Sequence, residues 1–190
     1  MRSGKWGTVL GSVMLCAPLS VLAHTGQDLH FSFYSGFVHP VGGTDHLLVL
    51  LGVGFWAAAQ GKASSRVIPG LFLVAMGLPA VFPVVGVGGT TEAVIAVSVV
   101  ATGLLLWFED RYPVIPGTLL VLVFGFSHGQ AHVAEIPAGV AAEAYAAGFL
   151  VASALLQTLG VCLGRWDRPA FGQFLSVLCG GAGMIWLAAA

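Results

Sequence analysis

Two short segments of the sequence combine histidines with carboxylates at spacings that suit a metal ion. The segments are HPVGGTDH at 39–46 and SHGQAHVAE at 127–135. They contain the candidate ligands His39, Asp45, His46, His128, His132 and Glu135. Residues four or seven apart share a helix face, so the side chains within each segment can converge. Imidazole and carboxylate ligands suit divalent nickel, cobalt, zinc or copper, and the lack of thiolates disfavours monovalent copper.

The composition requires that these polar groups lie in a membrane protein. The chain has 190 residues, of which 57% are hydrophobic and only 8% charged, whereas a soluble domain carries about 25% charged residues. Several apolar stretches approach the roughly 20 residues that cross a bilayer as a helix. A water-soluble fold is therefore excluded, and membrane lipid rather than nucleic acid is the expected surrounding partner.

The N-terminus is typical of a secretory signal peptide. Arg2 and Lys5 precede a short apolar core, and the small-residue pattern SVLA predicts cleavage after Ala23. A retained first transmembrane helix is the alternative interpretation. With cleavage, the mature chain, residues 24–190, is predicted to form a single transmembrane domain.

Six transmembrane helices are predicted in this domain, so the fold class is an all-α polytopic bundle. The predicted spans are 40–59, 67–86, 93–108, 116–136, 140–164 and 170–190. Pro40, Gly42 and Gly43 are expected to weaken or break the first of them. Because the loops are short, we expect consecutive helices to be antiparallel neighbours.

The positive charges predict the orientation. All seven Lys and Arg residues fall on one side of the six-span topology: Arg2, Lys5, Lys62, Arg66, Arg111, Arg165 and Arg168. The positive-inside rule makes that side cytoplasmic and both mature termini extracytoplasmic, in a bacterial cytoplasmic membrane. Trp56, Trp107 and Trp166 are interpreted as an aromatic belt at the same interface.

All six histidines lie on the opposite side of this topology. Ionisable residues inside spans are costly and usually face a polar interior or an ion path, although any single histidine can be a hydrogen-bonded core residue. Counting the helical rise from the cytoplasmic ends predicts two layers. The inner layer contains Asp45, His46, His128 and Glu92, and the outer layer contains His39, His132 and Glu135.

The mature N-terminus is a further candidate ligand. Cleavage would leave His24 with a free α-amine beside its imidazole, and these two nitrogens could capture metal together with Asp28 and His30. A frayed terminus with a chance histidine is the alternative.

The two motifs resemble the signatures of a known family. HPVGGTDH is similar to the His-x5-Asp-His signature of the HupE/UreJ family of nickel and cobalt permeases. FSHGQAHVAE resembles that family's second signature, except that Val133 stands where the family usually has glycine. The likeness extends over essentially the whole chain.

The resemblance implies uptake of nickel or cobalt, often in support of hydrogenase or urease maturation. It implies that the six candidate ligands are site residues, and it gives lower weight to Glu92 and to Phe72 as a residue lining the path. No nucleotide-binding motif is present. We therefore expect an ATP-independent permease whose only metal is its transported ion and which has no permanently bound cofactor.

Two other function classes were compared with transport. A membrane metal sensor, or a partner that delivers metal for hydrogenase or urease maturation without conducting it, would use the same ligands. An enzyme is not expected, because the His-Glu-x-x-His motif of a metalloprotease is absent and no catalytic residue can be assigned.

Overall fold

Helices are the only regular secondary structure in the described part of the chain. A computed structural model describes residues 32–82, 91–109, 111–136, 141–166 and 169–189. These form α1 (Ser32–Gly42), α2 (Thr44–Ala59), α3 (Ser64–Gly77), a 3-10 turn (Leu78–Ala80), α4 (Thr91–Trp107), α5 (Val114–Glu135), α6 (Ala142–Arg165) and α7 (Pro169–Ala189). The all-α prediction is therefore confirmed for these residues.

The bundle is apolar outside and partly polar inside. Leu104, Leu119 and Leu155 are exposed, whereas His46 and His128 are buried. A soluble protein places such residues the other way round. Large apolar side chains are exposed on α1 and on α3 to α7, and such extensive apolar surface is typical of a protein that faces lipid, so the distribution of residues supports the assignment to a membrane.

Among the helices of the described residues, three are individually long and apolar enough to cross a bilayer. These segments are 114–133, 142–165 and 170–189. A fourth candidate span is the pair α1 and α2, which bends by 77° at Gly43. The apolar segments 64–80 and 92–107 are shorter, so the six-span count remains a prediction.

The boundary of the first span differs from the prediction. Pro40 lies inside α1 rather than beginning a helix, and the chain breaks at Gly43. The second predicted span changes after Gly77 into the 3-10 turn that contains Pro79, because proline cannot donate a backbone hydrogen bond. The predicted signal peptide and both chain ends lie outside the described residues.

Helix α2 is the centre of the bundle and packs against five other helices. Its most extensive contact is with α6, while α4 packs mainly on α7 and α3 on α5. The expectation that consecutive helices are neighbours holds for α1 with α2, α2 with α3 and α4 with α5, but the most extensive contacts join helices that are not consecutive. Glycines permit the closest approach, since a Cβ at Gly54 would collide with the carbonyl oxygen of Gln157.

Two hydrogen bonds bring the predicted cytoplasmic loops to one end of the bundle. Gln60 Nε2 donates to the carbonyl oxygen of Glu109 at 2.7 Å. Arg165 Nη2 donates to Ser65 Oγ at 2.9 Å. The ends of α2, α4 and α6 and the start of α3 therefore meet, and the positive charges flanking them share that end.

Two of the three tryptophans in the predicted belt are exposed, as a position at an interface requires, and the third is buried. Trp107 and Trp166 are 60% and 70% exposed, but Trp56 is 0% exposed. Trp56 belongs to the central helix, and its indole fills space left by Gly117 of α5, where a Cβ would collide with the ring. Trp56 is therefore a core residue and does not mark an interface.

Candidate metal site

Five of the candidate ligands lie together near the end of the bundle opposite the positive charges. We call His39, Asp45, His46, His128 and His132 the histidine cluster. The cluster lies where the α1–α2 break meets the last turns of α5 and the first turns of α6. His46, His128 and His132 are buried, and His39 and Asp45 are half-buried.

The cluster contains two groups of three ligands that share one residue. The outer group is His39, His46 and His132, and the inner group is Asp45, His46 and His128. Within each group, one ligand atom from every residue lies within 4.8 Å of the others. Each group is therefore compact enough to surround one metal ion.

The bend at Gly43 brings the first motif onto one site. Seven residues of straight helix would separate His39 and His46 by roughly 10 Å along the axis, yet their ring centroids are 5.6 Å apart. Gly43 has extended dihedrals (φ −88°, ψ 112°) between the two helices. The helix break therefore folds His39 back over His46.

Gly43 also leaves space that the ligands need. A Cβ there would lie 2.7 Å from His46 Nδ1 and 2.9 Å from Asp45 Oδ1. Both distances are shorter than real Cβ contacts, so the two ligand side chains would have to move. Any residue can adopt the dihedrals of Gly43. A substitution there would therefore displace the two ligand side chains without straining the backbone.

We predict that Gly43→Ala weakens metal binding at least about tenfold, the usual cost of disturbing the support of a metal site. Gly42→Ala is the matched control, because a Cβ at Gly42 meets nothing within 4 Å. Nickel titration of both purified variants by calorimetry measures the difference. Equal affinities for the two variants would show that the space beside Gly43 is not used by the ligands.

His46 presents a different nitrogen to each group. Its Nδ1 atom lies 2.9 Å from Asp45 Oδ1, at ion-pair distance but without the alignment of a hydrogen bond. Its Nε2 atom lies 2.6 Å from His132 Nε2. His46 thus faces the inner group with one nitrogen and the outer group with the other.

The tautomer of His128 follows from its contact with Ser98. The single Ser98 hydroxyl proton is donated to the carbonyl oxygen of Ile95 at 2.6 Å. His128 Nε2, 2.8 Å from Ser98 Oγ, must therefore be the donor in that pair. The lone pair of neutral His128 is consequently on Nδ1, and the ring is held by a partner outside the cluster, as is usual for metal-binding histidines.

Aromatic side chains enclose the cluster. The hydroxyl oxygen of Tyr145 lies 2.8 Å from His39 Nδ1. The Phe149 ring centroid lies 4.1 Å from that of His132. Phe72 is buried with its ring 6.3 Å from His128. These contacts fix the ligand rings and reduce the local access of water.

A cavity of about 270 Å³ leads to the outer group. We call it the outer cavity, and it is lined by residues of α3, α5 and α6 that include Met76, His132, Glu143, Tyr145 and Phe149. Glu143 is exposed at the first turn of α6. The outer cavity therefore combines an acidic residue with direct contact to a candidate ligand.

Glu92, a candidate of lower weight, does not join the cluster. Glu92 is exposed in the first turn of α4 and belongs to neither ligand group. Ser98, about 9 Å further along that helix, is the α4 residue that contacts His128. The prediction of two layers assumed straight helices that start at one plane. It also assigned His46 to the inner layer alone, whereas His46 belongs to both ligand groups.

Several candidates cannot be located. His24, Asp28 and His30 lie outside the described residues, and Glu135 lies in the last turn of α5 with its side chain outside the description. Ser98 had no distinguishing signal in the sequence, since single serines are common in apolar helices.

Comparison with known proteins gives two matches. A model of the family described as HupE / UreJ protein matches residues 12–189. The chain is 33% identical to Protein HupE of Rhizobium leguminosarum bv. viciae over 184 residues, which is 96% of this chain and 94% of the relative. No solved structure matches the chain.

Proposed function

This chain belongs to the HupE/UreJ family, and from that premise we propose that it is an ATP-independent permease for divalent nickel, or cobalt, in a bacterial cytoplasmic membrane. The ion is the transported substrate, and the histidine cluster is its binding site. Metal taken up in this way would supply hydrogenase or urease maturation.

The observation that carries this proposal is the pair of ligand groups joined through His46. A sensor or a storage site needs one ligand set, whereas a permease must pass an ion between positions. Here the two positions adjoin at His46, so the ion can pass between neighbouring ligands without becoming free in the apolar interior; the imidazole proton of His46 moves from Nδ1 to Nε2 as the ion changes from Nε2 to Nδ1. The exchange of ligands one at a time keeps the barrier to movement low.

Charge gives this exchange a direction. The outer group consists of three imidazoles, while the inner group includes the carboxylate of Asp45. A divalent cation that leaves water loses hydration free energy, and a nearby anion offsets part of that loss. The ion would therefore bind the neutral outer group on arrival and be drawn to the inner group, one turn deeper on α5.

Glu143 and the outer cavity would supply the ion to the outer group. The exposed carboxylate raises the local concentration of cations, and His132 is the first ligand that the cavity reaches. Glu135 and the N-terminal His24 are further proposed ligands on this side. A metal gradient, or a metal sink in the cytoplasm, supplies the driving force.

The shared histidine predicts a stoichiometry of one ion per chain. A neutral imidazole has only one free lone pair, so His46 can serve the outer or the inner group but not both together. We expect equilibrium dialysis against saturating nickel to give one tightly bound ion in a chain that begins after Ala23. Two tightly bound ions would contradict the exchange through His46.

Accumulation of radiolabelled nickel by cells tests the proposed function. Cells that produce the protein should take up nickel faster than cells carrying an empty vector, and excess cobalt should compete because the two ions accept the same ligands. Uptake equal to the empty vector, in cells whose membranes contain the protein, would exclude the permease and favour a sensor or delivery partner.

A further inference from the structure

Beyond the histidine cluster, α6 contains two polar side chains that are completely buried. Ser153 and Gln157 are each 0% exposed. Neither the Ser153 hydroxyl nor the two polar atoms of the Gln157 amide has a hydrogen-bond partner among the described residues. Unsatisfied polar groups in an apolar interior destabilise a protein, so these two residues require an explanation other than packing.

Both residues continue the line from the cluster toward the positively charged end. The Phe149 ring contacts the rings of His132 and His46, with centroids 4.1 and 6.1 Å away. Ser153 follows Phe149 by about one helical turn and Gln157 by about two, roughly 6 and 12 Å further along the axis. Polar groups therefore extend inward from the site along one side of α6.

Helix α2 contributes another buried polar atom at the same depth. Gln157 packs against Gly54, as the collision of a Cβ there with its carbonyl oxygen shows. Trp56, two residues further along α2, is also 0% exposed, and its Nε1 atom has no hydrogen-bond partner among the described residues. The indole of Trp56 lies on the other side of α2, about 200° around the helix from Gly54, where it packs on Gly117 of α5, so Trp56 does not belong to the line formed by Ser153 and Gln157.

This combination of groups suits a partly hydrated cation. The hydroxyl oxygen of Ser153 and the amide oxygen of Gln157 can contact the cation or its coordinated water, and the amide N–H groups of Gln157 can donate to the oxygen of a further water. These oxygens are uncharged, so they would hold a divalent ion weakly. Conduction requires such weak binding at successive positions, because a tightly held ion does not leave.

We propose that Ser153 and Gln157 form a second binding position for the transported divalent cation, between the histidine cluster and the cytoplasmic end. This inference rests on the proposed function, since it assigns the next step of the same transport. The ion leaves the inner group, is held by the two neutral oxygens, and passes to the end of the bundle at which Gln60 and Ser65 lie.

Gln157→Leu tests this position, because leucine has a similar volume and no polar atoms. We expect the purified variant to bind nickel at the histidine cluster as the wild type does. Nickel uptake into liposomes that contain the variant should fall about tenfold, which is the usual effect of losing one supporting group at a metal site. Thr158→Val is the matched control. Thr158 is the next residue, but it is exposed and its hydroxyl donates to the carbonyl oxygen of Ala154.

The outcomes separate this inference from the function on which it rests. Uptake by the wild type and equally by Gln157→Leu would overturn the inference alone, and Gln157 would then be a packing residue. Absence of uptake by the wild type would overturn the proposed function. If Gln157→Leu does not accumulate in membranes, Ser153→Ala decides in the same way: slowed uptake with unchanged binding supports the position, and wild-type uptake overturns it.

Discussion

Replacing His46 with alanine is expected to lower nickel affinity by more than about 100-fold and to abolish uptake. His46 is the one residue that belongs to both ligand groups, so its loss leaves two ligands in each. Removing a group that merely supports a ligand already costs about 10- to 100-fold in affinity, and removing a shared ligand should cost more. Calorimetric titration and liposome uptake measure the two effects.

His39→Ala is the variant against which the effect of His46→Ala is compared. His39 belongs only to the outer group and is half-buried, so its loss should slow uptake at low metal while the inner group still binds nickel. Both variants must be present in membranes in normal amounts. Equal effects of the two substitutions would show that His46 does not join two positions.

Asp45→Asn is expected to abolish uptake while the protein still folds and inserts. Asparagine keeps the shape and one side-chain oxygen but removes the only carboxylate of the two ligand groups. A divalent ion in the inner group would then lack a neutralising charge, and its desolvation would not be offset. Stability should not fall, since a neutral side chain is less costly in the bilayer than a charged one.

Glu143→Gln is the matched control for the loss of charge. Glu143 is an exposed carboxylate at the outer cavity and belongs to neither ligand group. At saturating nickel the outer group is filled without local enrichment of cations, so uptake should not change. Normal uptake by Asp45→Asn, measured at equal protein content, would make Asp45 a structural hydrogen-bonding group and remove the charged inner group from the mechanism.

The sequence indicated which candidate ligands lie close together better than how they are arranged. His128 and His132 are four apart on an uninterrupted helix, where periodicity alone specifies that the two side chains share a face. The relation of His39 to His46 depends instead on a 77° bend at Gly43. Proline and glycine indicated a break there, but neither residue specifies its angle.

It was harder to predict which helices pack against each other than to predict where helices occur in the sequence. In water, an apolar stripe shows which side of a helix faces the core, but lipid is as apolar as the core itself. The central helix α2 is apolar on nearly every side, and it buries Trp56 together with His46. For this reason the pairing of α2 with α6, the contact of Ser98 with His128, and the burial of Trp56 required the structure.

The exposed position of Glu92 illustrates the same limit. Counting residues from a common plane placed Glu92 beside His128, because each helix was treated as straight and perpendicular to the membrane. Ser98 takes that place, roughly 9 Å along α4 from Glu92. Small differences in tilt and starting depth accumulate over two or three turns, so depth counting does not identify the residue that contacts His128.

Nickel flux through purified protein is the most direct test of the permease assignment. Liposomes that contain only this protein and lipid should accumulate external nickel down its gradient, without ATP, faster than empty liposomes. The accumulation should saturate, be reduced by excess cobalt, and be absent with His46→Ala. If protein that binds nickel transports it no faster than empty liposomes do, the histidine cluster is a binding site for a sensor or a delivery partner, and the account of transport is wrong.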